Sequence, residues 1–109
     1  MTVNELISQL SLTPVTVPDG DREVEGVYIG DLLSWVMGRA QADNAWVTIM
    51  SNLNIVAVAT LADVSCIILA EGVTLDEQVT ATASSKGVNI LSTQGTAYET
   101  ATALAGLGL

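Results

Sequence analysis

The sequence predicts an α/β fold, a mainly parallel sheet with helices on both faces. Three observations lead to it. Short β-rich runs alternate with runs at helical spacing, the pattern of successive βαβ units. Cys66-Ile67-Ile68-Leu69-Ala70 is continuously apolar, as a strand buried on both faces is. Only 14% of the 109 residues are charged while 50% are hydrophobic, which leaves few groups to solvate a free sheet face.

The elements follow in order. Val3 to Leu10 places Val3, Leu6, Ile7 and Leu10 at helical spacing, and Thr2-x-x-Glu5 ahead of it is a capping box. Pro14 to Glu25 is the least regular part, with a turn at Pro18-Asp19-Gly20-Asp21. Val24 to Ile29 reads as a strand ended by Gly30, and Asp31 opens a helix through Met37, its carboxylate near the positive helix end. Trp46 to Met50 is the next strand. Asn54 to Ala62 is rich in β-branched residues but lies too close to its neighbouring strands, without turn glycines, for a hairpin; a helix is expected. The strand Cys66–Ala70 is followed by Thr74-x-x-Glu77, a second capping box, and a helix to Lys86 with Gly87 as its stop. Val88 to Leu91 is the last strand, and Thr96-x-x-Glu99 caps a final helix through Leu104.

A chain of this length is one domain that buries roughly two-thirds of its unfolded surface. Three basic residues against twelve acidic ones leave a net charge of −9, which repels phosphate backbones and anionic lipid; neither nucleic acid nor membrane is an expected partner. The start lacks the basic and apolar regions of a signal peptide, and no run approaches the ~20 apolar residues of a spanning helix. With a mean hydropathy of +0.50, the apolarity is expected to go into a core or an interface of a soluble protein. One cysteine excludes a disulfide framework and fits a reducing cytoplasm. The absence of histidine removes the Ser-His-Asp triad and the usual zinc sites, and an enzyme is the weakest reading. No cofactor is implied.

Several runs then occur in a telling series: Tyr28-Ile29-Gly30-Asp31; Trp46-Val47-Thr48-Ile49 running into Asn54-Ile55-Val56-Ala57; Cys66-Ile67-Ile68-Leu69 with Gly72; and Gly87-Val88-Asn89-Ile90-Leu91-Ser92 leading to Thr96-Ala97-Tyr98-Glu99. Over residues 27–105 the chain resembles the DRTGG-domain family, which is similar to the N-terminal domain of bacterial HPr kinase/phosphorylase. The resemblance implies an α/β module without catalytic residues of its own, attached to other domains and often placed at a dimer contact. One departure stands out. Family members often carry a Gly-Asp-Arg-like turn after the strand matching Trp46–Met50, and this chain has Ser51-Asn52-Leu53-Asn54 there.

In open α/β sheets ligands bind outside the carboxyl ends of the strands. That rule nominates Gly30, Asp31, Ser51, Asn52, Glu71, Gly72, Ser92 and Thr93 as ligand-binding residues for a small polar molecule. The same residue types also serve helix caps and tight turns. Asp31 and Glu71 argue against a bare phosphate unless a divalent cation lies between them. Asp31, Glu71, Asp76 and Glu77 do not follow the order of an EF-hand loop, and no metal site is expected. Cys66, inside an apolar strand, is expected to be inert. The acidic run Asp19, Asp21, Glu23 and Glu25 reads as a solvated loop, and Arg39 and Lys86 as charges compensating helix C-termini.

Trp35 sits about 60° from Leu32 around its helix, at roughly 100° per residue, so the apolar arc is wider than one sheet contact needs. The Asn54–Ala62 helix is apolar nearly all round. A homodimer is expected, with Trp35, Met37, Ile55 and Val58 at the interface. The function expected is a non-catalytic regulatory or ligand-sensing module, for a small metabolite or nucleotide, signalling to a partner protein. The alternative is a dimeric protein–protein interaction adaptor with no small-molecule ligand.

Overall fold

The computed structural model describes residues 1–109. Its elements are α1 (Val3–Leu10), β1 (Thr13–Thr16), β2 (Val27–Ile29), α2 (Leu33–Arg39), β3 (Ala45–Thr48), α3 (Asn54–Ala62), β4 (Cys66–Leu69), α4 (Glu77–Ser85), β5 (Ile90–Ser92) and α5 (Ala97–Gly106). They form one five-stranded sheet in the order β1-β5-β4-β3-β2. β2, β3, β4 and β5 run parallel, and β1 joins the edge antiparallel to β5. The mainly parallel α/β fold expected from the sequence is the one found.

The pleat divides the core into two halves. Trp46, Ile67, Leu69 and Ile90 face one side, where Val36 of α2, Ile55, Val56, Val58 and Ala59 of α3, and Val79 and Ala83 of α4 cover them. Ala45, Val47, Cys66, Ile68 and Leu91 face the other, covered by Val3 and Leu6 of α1 and Leu104 of α5. Every residue of β3 and β4 is buried. Side chains of Leu, Ile and Val size each contribute roughly 1.5–3 kcal/mol when removed from water. The central strands therefore hold only if both helix layers are present.

Three buried polar residues occupy equivalent places, each one residue before a strand: Asn44 before β3, Ser65 before β4 and Asn89 before β5. Each reaches the same irregular segment. Asn44 Nδ2 donates to Glu25 O (2.9 Å), Ser65 Oγ donates to Glu23 O, and Asn89 Nδ2 donates to Asp19 O (2.8 Å) while its Oδ1 accepts from Asp19 N (2.9 Å). Arg22 completes the lashing. Its Nη2 donates to Asp43 Oδ1 (3.1 Å), Asp63 Oδ1 (2.8 Å) and Asp63 O (2.7 Å). Partial burial opposes its charge, but the two carboxylates outweigh that and raise its pKa. Asp43 and Asp63 both hold left-handed backbone, at φ 69° and 59°.

Several boundaries differ from those the sequence suggests. The irregular stretch from Pro14 contains part of a strand: Thr13–Thr16 pairs with β5, with a register shift between Pro14 and Thr16. An edge position tolerates proline because one side of the strand needs no N–H. Val24 is buried but lies before β2, its N–H given to Met1 O at 2.8 Å. Asp31 does not open α2, which starts at Leu33, because its carboxylate is used elsewhere. The Thr74-x-x-Glu77 box does not form; Asp76 caps α4, accepting from Val79 N at 3.0 Å. The boxes at Thr2 and Thr96 both form. β5 begins at Ile90, two residues later than expected. Ile55 and Val58 are buried within the monomer and cannot serve as an interface; the apolar circumference of α3 is used against the sheet and its neighbours.

Cys66 is fully buried, and burial pushes its thiol from an ordinary 9.0 up to about 12, against a smaller pull from the Arg22 charge. Above the ordinary value the unfolded chain loses this proton while the folded chain keeps it. Stability therefore falls as pH rises between those two values. Cys66→Ala should remove about 2 kcal/mol of the stability lost between about pH 9 and pH 11, read by urea denaturation at each pH. An unchanged alkaline slope would show that the thiol ionises freely in the folded state.

Candidate functional site

β2, β3, β4 and β5 are laid down side by side in chain order, and α2, α3 and α4 return over the same face. After β5 the chain turns to the opposite face, where α5 packs. Connections leaving adjacent strands for opposite faces open a crevice between their loops, and here that place lies between β4 and β5. The crevice is stitched shut. Glu71 N donates to Gly95 O (2.8 Å), Gly72 N donates to Thr93 O (2.9 Å), and Thr93 N donates to Leu69 O (2.9 Å). Glu71 and Gly72 are both left-handed, at φ 62° and 70°. A Cβ on Gly72 would lie 2.6 Å from Gln94 Oε1, so the Gln94 side chain lies over the glycine.

The other half of the strand ends is more open but equally held. Asp31 Oδ1 accepts from Thr48 Oγ1 (2.7 Å) and from Ile49 N (2.9 Å), which ties the loop after β2 to the end of β3. Thr48 is buried and its Oγ1 also accepts from Met50 N at 3.2 Å. The buried Trp46 indole donates to Gly30 O at 2.9 Å. Gly30 itself leaves room for Tyr28, whose Cε2 would stand 3.0 Å from an added Cβ. Asn52 Oδ1 accepts from Asn54 N (2.9 Å) at the start of α3, and Thr93 Oγ1 accepts from Gly95 N (3.1 Å).

All eight nominated residues thus lie along the carboxyl edge of the sheet, in two groups. Asp31, Asn52 and Thr93 direct acceptors at the chain's own loops. The side chains of Ser51, Glu71 and Ser92 have no partner within the chain, and Asn52 keeps its amide N–H groups free. The surface has three concavities: about 470 Å³ between α3 and α4, about 340 Å³ between β1 and α4, and about 100 Å³ between α1 and α5. Of the eight residues only Thr93 borders one, so the carboxyl edge is an open ledge.

The ledge is amphipathic, which the sequence reading missed. Ile29, Leu32, Ile49 and Leu53 flank its two polar loops and are 42–59% exposed. Trp35 and Met37 on α2 are exposed as well, and Arg39 lies 3.7 Å from the Trp35 ring centroid. The overlooked signal is the placement of apolar residues on either side of Gly30-Asp31 and of Ser51-Asn52, beyond the ends of the strands. The basic residues are elsewhere: Arg22 between its aspartates, Arg39 in the last turn of α2 and Lys86 capping the end of α4, all toward the amino ends of the parallel strands. Asp31 and Glu71 therefore face no cation on the ledge.

The family model of the DRTGG domain matches residues 5–107. The chain belongs to the DRTGG-domain family. A comparison with the curated proteins finds no match. Among solved structures, this DRTGG domain is similar to the CBS and DRTGG domains of the regulatory region of Clostridium perfringens pyrophosphatase, complexed with the activator diadenosine tetraphosphate. The TM-score is 0.69 with 14% sequence identity, over 95% of this chain and 44% of that one. At that identity the likeness is one of fold, and the chain spans less than half the length of that structure. No helix of this DRTGG domain is long and apolar enough to cross a membrane.

The Asp31 contact is the hinge pin of the open half of the ledge. Asp31→Ala should lower stability by about 1 kcal/mol and speed hydrogen exchange at the Ile49 amide, while Asp31→Asn, which keeps an acceptor, should retain most of the protection. Equal exchange at Ile49 in Asp31→Ala and the parent chain would show that this contact does not hold the loop.

Proposed function

We propose that this DRTGG domain is a non-catalytic regulatory module that binds a small metabolite or nucleotide on the ledge at the carboxyl ends of β2 to β5. The observation that carries the reading is the composition of the ledge. Loops tied together by Asp31, Thr48 and the Trp46 indole present unpartnered polar groups on Ser51 and Asn52 beside exposed Ile29, Leu32, Ile49 and Leu53, and the separately stitched β4 and β5 loops add Glu71 and Ser92. Small-molecule sites combine an apolar lining with a few placed polar groups in this way. The regulatory region similar in fold is complexed with a nucleotide activator, which favours the same class of ligand here. Carboxylates and no cation favour the hydroxyl-bearing part of a nucleoside over its bare phosphates.

Two groups that commonly act on a bound ligand have no place on the ledge. There is no histidine, and the one thiol is buried and protonated. An open ledge becomes a pocket when a second surface covers it. We infer that the cover is a second copy of the chain, meeting the first through Trp35 and Met37 of α2 and the apolar residues of the ledge. Occupancy of the ledge would then bias association, which is the signal a partner protein reads. The closed β4–β5 crevice favours a second reading, an adaptor that dimerises through the same surface without a ligand.

A thermal-shift panel of nucleotides, phosphorylated metabolites and divalent cations separates the two. A ligand at about 100 times its Kd adds about 2.7 kcal/mol of stability. Asn52→Ala, which also removes the acceptor for Asn54 N, should lower the unliganded Tm slightly and reduce the ligand shift measured from that lower baseline. Equal affinity in the two proteins by calorimetry would remove Asn52 from the site; no shift across the panel favours the adaptor. Trp35→Glu should convert the dimer to monomer in sedimentation velocity at micromolar protein. An unchanged sedimentation coefficient would place the contact elsewhere.

A further inference from the structure

The largest concavity lies on the helical face between α3 and α4 and touches the ledge only at its Leu53 end. It encloses about 470 Å³, within the range of small-molecule sites. One side of α3 forms most of it: Leu53, Val56, Ala57 and Leu61 supply apolar surface along the helix, and Leu61 is 70% exposed. Thr60 and Thr82 also line it, but each donates its hydroxyl proton to its own helix, to Val56 O (2.9 Å) and Gln78 O (2.8 Å). The donors left for a visitor are the Asn54 amide and the Lys86 ammonium.

The charge of this groove is opposite to that of the molecule. The chain carries twelve acidic residues and a net charge of −9, yet no acidic side chain lines the groove and one of only three basic residues does. The other two basic residues are occupied: Arg22 pairs with Asp43 and Asp63, and Arg39 lies over Trp35. Lys86 has no ion-pair partner in the fold. It sits where α4 ends, and α3, which runs beside it, ends at Ala62 near the same edge of the sheet. An apolar track the length of α3, about 13 Å for nine residues, therefore has a single unpartnered cation toward one end. An ammonium without an ion-pair partner, beside apolar surface that no acidic side chain lines, is complementary to an anion that brings its own apolar body.

We propose that the α3–α4 groove binds a medium-chain fatty acid, with the carboxylate on Lys86 and the alkyl chain along Leu61, Ala57 and Leu53. A multiply charged phosphate compound is disfavoured because one ammonium cannot offset it within a field of −9. A cationic amphiphile is disfavoured by Lys86 itself. The groove meets the ledge at Leu53, and the experiment separates the two by whether the shifts extend toward Leu61 and Lys86 or toward Ser51 and Glu71.

The test uses the whole chain labelled with nitrogen-15 and decanoate as probe, kept below its micelle concentration, with decyltrimethylammonium and decanol as the cationic and neutral controls. Decanoate at millimolar concentration should shift the amides of Leu53, Ala57, Leu61, Thr82 and Lys86. Decyltrimethylammonium should shift none of them. Lys86→Gln should weaken decanoate by about fivefold, the size of one exposed ion pair, and leave decanol unchanged. Ala57→Trp, at an exposed position, should fill the track and abolish both. The proposal is overturned if the cation binds as well as the carboxylate, if decanoate shifts none of these amides, or if its shifts map to Ser51, Asn52 and Glu71. It is also overturned if the groove amides move with protein concentration alone, which would assign the groove to a second copy of the chain.

Discussion

β3 and β4 are buried on both faces along their whole length, and the rest of the molecule is arranged to keep them so. A parallel strand of this kind has no face to offer water. Both layers of helices are therefore obligatory in a chain of 109 residues with few charges to spare. The requirement reaches individual side chains. Trp46 is wholly buried, and it is accommodated because its indole N–H finds Gly30 O at the end of the neighbouring strand. The same contact that satisfies a core donor also positions a loop of the ledge, so core and ledge share one hydrogen bond.

The order of the strands follows from the same economy of connection. Successive parallel strands placed side by side, with crossovers of one hand, put α2, α3 and α4 on one face. Only the last connection changes face, to supply α5 to the side that α1 alone would leave thin. That change of face would open a crevice between the β4 and β5 loops. Glu71, Gly72, Thr93 and Gln94 fill it with backbone hydrogen bonds and a side chain laid over a glycine. The consequence for function is that the carboxyl edge presents a ledge with a closed half and an open half. The free polar and exposed apolar groups of the β2–β3 side gather on the open half.

At the opposite end of the sheet, Asn44, Ser65 and Asn89 hold the irregular segment from Asp19 to Glu25, and Arg22 bridges to Asp43 and Asp63. A loop whose backbone lies against strand ends needs partners for its carbonyls, and buried amide and hydroxyl side chains supply them. This lashing absorbs one of the three basic residues. The geometry of the helices carries the other two, Arg39 and Lys86, to the same amino end of the parallel strands, which leaves the ledge acidic and the α3–α4 groove with the one free ammonium.

The sequence by itself determined the fold class, the helix α3 despite its β-branched residues, the boxes at Thr2 and Thr96, and the inertness of Cys66. Each is a local or compositional property: alternation of periods, a residue pair three apart, a thiol within a continuous apolar run. The resemblance in the series from Tyr28 to Glu99 likewise rested on the strands and their following turns, which local pattern preserves. What tertiary structure decided is wherever a side chain chose between a near partner and a distant one. Asp31 left the start of α2 to accept from Thr48 and Ile49, and Thr74 yielded the cap of α4 to Asp76. Thr13–Thr16 became a strand only because the β5 edge was open beside it. Ile55 and Val58 went to the core while Ile29, Leu32, Ile49 and Leu53 stayed exposed, because apolar character in the sequence says that a residue favours burial but not whether the fold has a neighbour left to bury it.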